Sequence, residues 1–382
     1  MYRAKMGRTA IVAALALSFA QPGQAQPQSL QARVEARLAE AGPGTRFGLV
    51  IATDDGRELV SIAPEGRFVP ASATKMFTIA AVFSTLPGID RPDAAGGASI
   101  ALEPRAGAAP DLVLEGHGDA RLSSAADCRE DCLAALADTA AAAVRTVGNV
   151  IGDDALYPDE RWSAGMSWNN IPTASGTAAS ALTLDDNELP LVVTAGAKGQ
   201  RPRADLAPYY GLSNQAVTVP AGGATALEVE RLPMSRDLRL TGTIAADAKP
   251  QRIRLGIDDP AEYAAWRLRA LLEARGVRVT GKVLARHQLT GVVMAPAERR
   301  VLAQLTPPPL LLDLTATAKV SQNLHAELLL RRLGQVHNKG SVAQGVAAVR
   351  AMLDGAGVPR RQAEFSDGSG MSTYNRLSPR GA

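Results

Sequence analysis

Pro70-Ala71-Ser72-Ala73-Thr74-Lys75-Met76-Phe77-Thr78-Ile79-Ala80-Ala81-Val82-Phe83 is the stretch on which the reading of this chain turns. A proline followed by small residues reads as a helix start, and the apolar run after Lys75 is long enough to bury that helix on several faces. Ser72 and Lys75 stand three positions apart, so on a helix their side chains project side by side. Shelter from water disfavours the charged form of a lysine, which can then lose its proton and accept one from a serine hydroxyl. The segment therefore predicts a serine nucleophile with a lysine base at the mouth of a buried helix. S-x-x-K is also a common tetrapeptide, so other parts of the chain must decide.

The N-terminus reads as a secretory leader over residues 1–25. Arg3, Lys5 and Arg8 precede an apolar core from Thr9 to Ala20, and Gly23-Gln24-Ala25 forms a small-x-small cleavage site. The apolar core is short for a bilayer span and no later apolar run is longer, which predicts a soluble periplasmic protein without a transmembrane segment. The precursor carries 41 basic and 38 acidic residues, and removing the leader takes away three basic ones, so the mature chain is close to neutral. That balance offers no electrostatic footprint for nucleic acid or an anionic membrane. The cysteines are Cys128 and Cys132, which in an oxidising compartment read as one disulfide closing a short local loop. His117, His287, His325 and His337 are scattered, none at zinc-site spacing with the cysteines, so each reads as a surface or structural residue and no metal is expected. No G-x-S-x-G surrounds any serine, which leaves a Ser-His-Asp triad without support.

Helix signals run from Ser29 to Ala41, bounded by Gly42-Pro43. Arg46 to Ala52 and Arg57 to Ile62 read as a hairpin through Asp54-Asp55-Gly56. Between about 96 and 290 the character changes. A helix from about Cys132 to Val144 precedes a strand from Val147 to Gly152, with Asp153 and Asp154 at its end. Asp185-Asp186-Asn187 then opens a stretch rich in β-formers, glycine and proline. Asp259-Pro260 caps a helix that stops at Gly276, followed by strand-like Val277 to Leu284. The helix-glycine-strand pattern of 132–152 thus recurs at 260–284, faintly. Helices resume after Thr306-Pro307-Pro308-Pro309, over Leu310 to Lys319, the apolar run up to Leu333, and Ser341 to Leu353.

Ser321-x-Asn323 is the second chemical signal. A hydroxyl and a carboxamide two positions apart face one cleft from a tight turn, the serine relaying a proton and the asparagine holding a substrate amide or orienting Lys75. S-x-x-K, S-x-N and K-T-G together mark penicillin-binding proteins and serine β-lactamases. The chain resembles one such family, the class C low-molecular-mass penicillin-binding proteins of peptidase family S13, which are D-alanyl-D-alanine carboxypeptidases and endopeptidases. The resemblance rests on Pro70 to Lys75, Gly116-His117-Gly118-Asp119, Gly152-Asp153-Asp154, Ser180-Ala181-Leu182 with Asp186-Asn187, Lys319 to Glu327, and Asp367-Gly368-Ser369-Gly370-Met371-Ser372 with Tyr374-Asn375.

The resemblance implies an α+β fold: a transpeptidase-like domain with an antiparallel sheet flanked by helices, split over 26–95 and 290–382. An inserted α/β domain would occupy 96–185 and 255–289, with a small β-rich domain at 186–254. It further implies that Ser72 attacks the carbonyl between two D-alanines or of a cross-link, with Lys75 as base. Ser321 would pass a proton to the departing amine and Asn323 place the substrate. β-Lactams would trap the same serine, no cofactor would be needed, and peptidoglycan stem peptides would be the partners. Ser369, Gly370 and Arg376 are expected to contact substrate; Asp153 or Asp154 reads either as facing the peptide's amino-bearing side chain or, as a strand-end carboxylate, as a helix-cap or turn residue. No K-T-G occurs in the 382 residues, and Thr373 stands where many relatives carry arginine. The sequence therefore reads as a truncated enzyme chain. The alternatives are a non-catalytic periplasmic peptidoglycan-binding relative, or a β-lactamase- or esterase-like serine hydrolase.

Overall fold

The computed structural model describes residues 29–288, 298–336 and 339–382, so the leader and His337 lie outside the described residues. The chain forms two units, one ending at Pro64 and one running from Glu65 to Ala382. In the first, helix α1 (Leu30–Leu38) is capped by Ser29, whose hydroxyl accepts from the Ala32 amide at 3.2 Å. It is shorter than the sequence predicts because the chain leaves the helix after Leu38 in successive turns, Glu40 N donating to Arg37 O and Ala41 N to Leu38 O. Strands Leu49–Ala52 and Glu58–Ile62 pair antiparallel, with Leu49 opposite Ile62. Gly56, at φ 86°, closes their turn by donating its amide to the Thr53 carbonyl.

The helices of the second unit are α2 (Thr74–Thr85), α3 (Leu133–Ala143), α4 (Pro260–Ala274), α5 (Leu311–Lys319), α6 (Asn323–Gln335) and α7 (Val342–Gly355). Its largest sheet orders five strands as Val283–Gln288, Val150–Pro158, Asp111–Glu115, Ser99–Glu103 and Arg300–Gln304. The first three run parallel and the last two pairings are antiparallel, so this sheet is mixed. Parallel neighbours need a crossover. Helix α3 lies in the crossover from Asp111–Glu115 to Val150–Pro158, and α4 in the stretch leading from there to Val283–Gln288. The faint helix-glycine-strand recurrence thus has a structural meaning: both copies feed parallel strands into one sheet. Ile100, Leu112, Leu114, Leu136, Leu268 and Leu272 close the core between that sheet and its helices.

A second core joins α2, α5, α6 and α7 through Val82, Leu314, Leu330, Leu333, Val349 and Leu353. Helices α6 and α7 come close at Gly345, where an added Cβ would lie 2.2 Å from the Leu330 carbonyl oxygen. Strands Ala363–Glu364 and Arg376–Leu377 flank a loop that returns to α2. Cys128 and Cys132 form a disulfide with their Cα atoms 5.8 Å apart, placed in the turn before α3 rather than on a helix. Among the described residues no helix is long and apolar enough to cross a membrane.

One element differs from the sequence reading at a point that bears on function. Asp153 and Asp154 do not end a strand; they sit inside Val150–Pro158, and both are buried. A strand carries buried carboxylates through its middle when each finds charged or polar partners. Arg286 and Arg299 donate to Asp153 Oδ2 at 3.2 and 2.9 Å. Ser180 donates to Asp154 Oδ2 at 2.7 Å, and His287 Nδ1 stands 2.8 Å from Oδ1.

Candidate active site

A one-turn 3-10 segment, Ala71–Ala73, leads directly into α2, so Ser72 and Lys75 lie on one continuous helical turn. Ser72 is exposed, whereas Lys75 is only 3% exposed. The Ser72 hydroxyl is thereby open to solvent while its neighbour amine is sheltered. The Lys75 Nζ lies 3.3 Å from Ser72 Oγ, 2.6 Å from Asn323 Oδ1 and 2.6 Å from the Ser369 carbonyl oxygen. Asn323 is the first residue of α6, and its Nδ2 donates to the Ser175 carbonyl at 2.9 Å, which turns Oδ1 towards the lysine. Burial lowers the Lys75 pKa to about 8, against the upward pull of the Glu327 and Asp367 carboxylates.

These contacts decide which proton leaves. Asn323 Oδ1 and the Ser369 carbonyl only accept hydrogen bonds, so they retain two N–H donors of the amine in either protonation state. When Lys75 is neutral, its lone pair is left facing the Ser72 hydroxyl. That arrangement suits proton transfer from serine to lysine.

Below the amine, the loop carrying Asp367-Gly368-Ser369-Gly370 is fastened from three sides. Glu327, one helical turn after Asn323, accepts from the amides of Gly368 and Ser369 at 3.1 and 2.9 Å. Thr78, three residues after Lys75, donates to the Gly368 carbonyl at 2.8 Å. Asp367 accepts from the Gly370 and Ser372 amides and from Asn375 Nδ2, at 2.9, 2.6 and 2.6 Å. Gly370, at φ 88°, brings its backbone against the segment that carries Ser72, where an added Cβ would lie 1.8 Å from the Ala71 carbonyl oxygen. Burial pushes the enclosed Glu327 carboxyl above its ordinary pKa, with Asp367 adding to the rise.

Ser72, Lys75, Asn323 and Ser369 are thus brought together. Ser321 is exposed in the turn between α5 and α6 at φ 58°, two residues before Asn323. Ser369 meets the lysine through its carbonyl, while its hydroxyl turns inward, 3.4 Å from Asp367 Oδ2. Arg376 donates to the carbonyls of Thr373 and Asn375 at 2.6 and 2.8 Å. Among the described residues no hydrogen bond or ion pair joins Arg376, Asp153 or Asp154 to Lys75. Glu327, Thr78 and Asp367 join the site although neither S-x-x-K nor S-x-N includes them. Helical spacing from Asn323 and Lys75 would have found the first two.

Residues 30–381 match the family described as D-Ala-D-Ala carboxypeptidase 3 (S13). A D-alanyl-D-alanine carboxypeptidase of Actinomadura sp. (strain R39) is 34% identical over 341 residues, covering 86% of this chain and 62% of the relative. A penicillin-sensitive carboxypeptidase A of Dictyostelium discoideum is 24% identical over 372 residues, covering 88% of this chain and 67% of the relative. The crystal structure of penicillin binding protein 4 (dacB) from Haemophilus influenzae superposes with a TM-score of 0.75 at 19% sequence identity, over 91% of this chain and 76% of that one. The fold is therefore the α+β fold of that penicillin-binding protein. The chain belongs to the D-Ala-D-Ala carboxypeptidase S13 family, and it spans about 62% of the length of its Actinomadura relative.

Proposed function

We propose that this protein is a serine D,D-peptidase acting on peptidoglycan stem peptides in the periplasm, as a D-Ala-D-Ala carboxypeptidase or cross-link endopeptidase. The observation that carries the reading is the buried Lys75 amine, held by two acceptors and aimed at the exposed Ser72 hydroxyl. Ser72 Oγ attacks the penultimate carbonyl as its proton passes to Lys75. The C–N bond then breaks, the leaving amine takes a proton relayed through Ser321, and an acyl-serine remains. Water hydrolyses that ester and returns the enzyme. Asn323 holds Lys75 and offers its amide edge to the substrate. A β-lactam presents a strained amide to the same serine, and a structure of the Haemophilus influenzae protein is described as complexed with a novel β-lactam.

The test is covalent labelling of the folded chain with a fluorescent penicillin, paired with release of D-alanine from a D-Ala-D-Ala peptide. Labelling of the unaltered chain and none in Ser72→Ala supports the assignment. A folded protein that takes no label overturns it, and rapid turnover of the drug moves it to the β-lactamases.

A further inference from the structure

His325 lies on α6, two residues after Asn323, and is buried. Its ring faces carboxylates on both nitrogens. Nε2 is hydrogen-bonded to Asp186 Oδ1 at 2.9 Å. Nδ1 lies 3.1 Å from Asp313 Oδ1, an ion-pair contact without hydrogen-bond alignment that leaves both buried atoms with no hydrogen-bond partner among the described residues. A neutral imidazole has one N–H and one lone pair, so one carboxylate would confront that lone pair; two carboxylates are accommodated only by the doubly protonated ring. Burial opposes that charge, but the two carboxylates overcome it and raise the pKa to about 9. Arg121 Nη1 stands 3.6 Å from the same Asp313 oxygen, and the buried Asp119 and Asp131 lie within electrostatic reach of Asp313.

The backbone around this bridge is unusual. Asp185, Asp186 and Asn187 take φ of 51°, 55° and 51°, three successive non-glycine residues in the left-handed region. Such residues are unfavourable there unless neighbouring structure over-determines them. Here it does. Asp185 Oδ1 accepts from the Ser123 hydroxyl and the Ser124 amide at 3.1 and 2.7 Å. Asn187 is fully buried, exchanging hydrogen bonds with Leu184 N and Ala178 O at 3.0 and 2.9 Å. What this strained turn presents outward is Asp186, aimed at His325. Opposite it, Ser321 is also left-handed, in the turn between α5, which carries Asp313, and α6, which carries His325.

On the reading of the preceding section, we propose that His325 is the positioning residue of the Ser321–Asn323 turn: by bridging Asp186 and Asp313 it pins the start of α6 and so holds Asn323 on the Lys75 amine. It touches neither substrate nor the reacting atoms. Its effect reaches them through one turn of helix.

The full chain is tested with His325→Gln, which cannot bridge both carboxylates, and with Asp186→Asn, at a half-exposed position, which opens the bridge from the far side. Both are followed by penicillin acylation rate, its pH profile, thermal unfolding, and amide hydrogen exchange. Acylation is expected to slow tenfold or more in each variant, with faster exchange confined to the amides of Leu324, His325 (Gln in that variant) and Ala326. The unaltered chain is expected to lose acylation as pH rises through about 9, and His325→Gln to lack that alkaline limb. Acylation at the unaltered rate in either folded variant, or an alkaline limb that persists in His325→Gln, overturns the proposal. If the unaltered chain takes no penicillin, the peptidase reading has failed. The bridge is then judged by exchange in Asp186→Asn, where unchanged protection at Leu324 to Ala326 overturns it.

Discussion

At the scale of single residues the proposed chemistry rests on an amine kept short of water but rich in acceptors. With its pKa near 8, Lys75 is mostly charged at neutral pH and loses its proton just above it. Acylation by a penicillin should therefore rise as pH climbs through about 8, before the His325 limb brings it down again above about 9. Glu327 sets where the rising limb lies, because its carboxylate pulls the lysine pKa up. Glu327→Gln keeps an oxygen to accept from the Gly368 and Ser369 amides and removes the charge. The limb is expected to move to lower pH in that variant, measured as the second-order acylation rate from pH 6 to pH 10. Lys75→Arg carries a cation that does not deprotonate, and its acylation should fall by about two to four orders of magnitude at every pH, the range for losing a general base. An unshifted limb in Glu327→Gln would show that Glu327 is not ionised beside the amine.

At the scale of elements the site is an encounter of one 3-10 turn, one helix N-terminus and one glycine-containing loop. Gly370 is where two of them meet, at a left-handed φ and with no room for a Cβ beside the Ala71 carbonyl. Gly370→Ala should push the loop away from Ser72, loosen the Ser369 carbonyl from Lys75, and destabilise by about 1–3 kcal/mol from backbone strain alone. The readouts are a lower melting temperature and a penicillin-labelling loss larger than the fold loss explains. Labelling at the full rate would show that the loop does not support the nucleophile. Much of this encounter was legible in the sequence, since Ser72 and Lys75 are neighbours on one turn and Asn323 follows the Ser321 turn. Glu327 and Thr78 are within reach of helical periodicity, four residues after Asn323 and three after Lys75. Asp153 and Asp154 were not legible, because the strand continues past them only when Arg286, Arg299, Ser180 and His287 arrive from distant positions. The left-handed turn at Asp185–Asn187 was hidden for a related reason. Aspartate and asparagine tolerate that backbone, but only tertiary partners impose it.

At the scale of the larger unit, the mixed sheet and α4 are joined by a charged knot that ties stability to pH. His287 Nδ1 meets Asp154 Oδ1 at 2.8 Å, and its Nε2 meets Asp259 Oδ2 at 3.3 Å, Asp259 being the residue that caps α4. Arg161 Nη2 lies 3.3 Å from the same Asp259 oxygen and 3.0 Å from His287 Nε2, where a second cation opposes the charge on the ring, and its Nε lies 2.8 Å from Asp159. Hydrogen bonds to Asp154 and Asp259 raise the His287 pKa from 6.5 to about 10 despite burial. A folded-state pKa above the unfolded one means that the native protein holds a proton which the unfolded chain releases. The stabilisation is fully present below the unfolded value near 6.5 and is lost as pH rises through about 10. His287→Gln should therefore be less stable than the unaltered chain at pH 6 by about 1–2 kcal/mol, after allowance for screening at a partly open site and for the Arg161 cation beside the ring. The two stability curves should converge as pH approaches 10, in urea unfolding followed across that range. A gap of constant size would mean that the imidazole contributes by packing alone, and that the charge on this knot is carried by Arg161 instead.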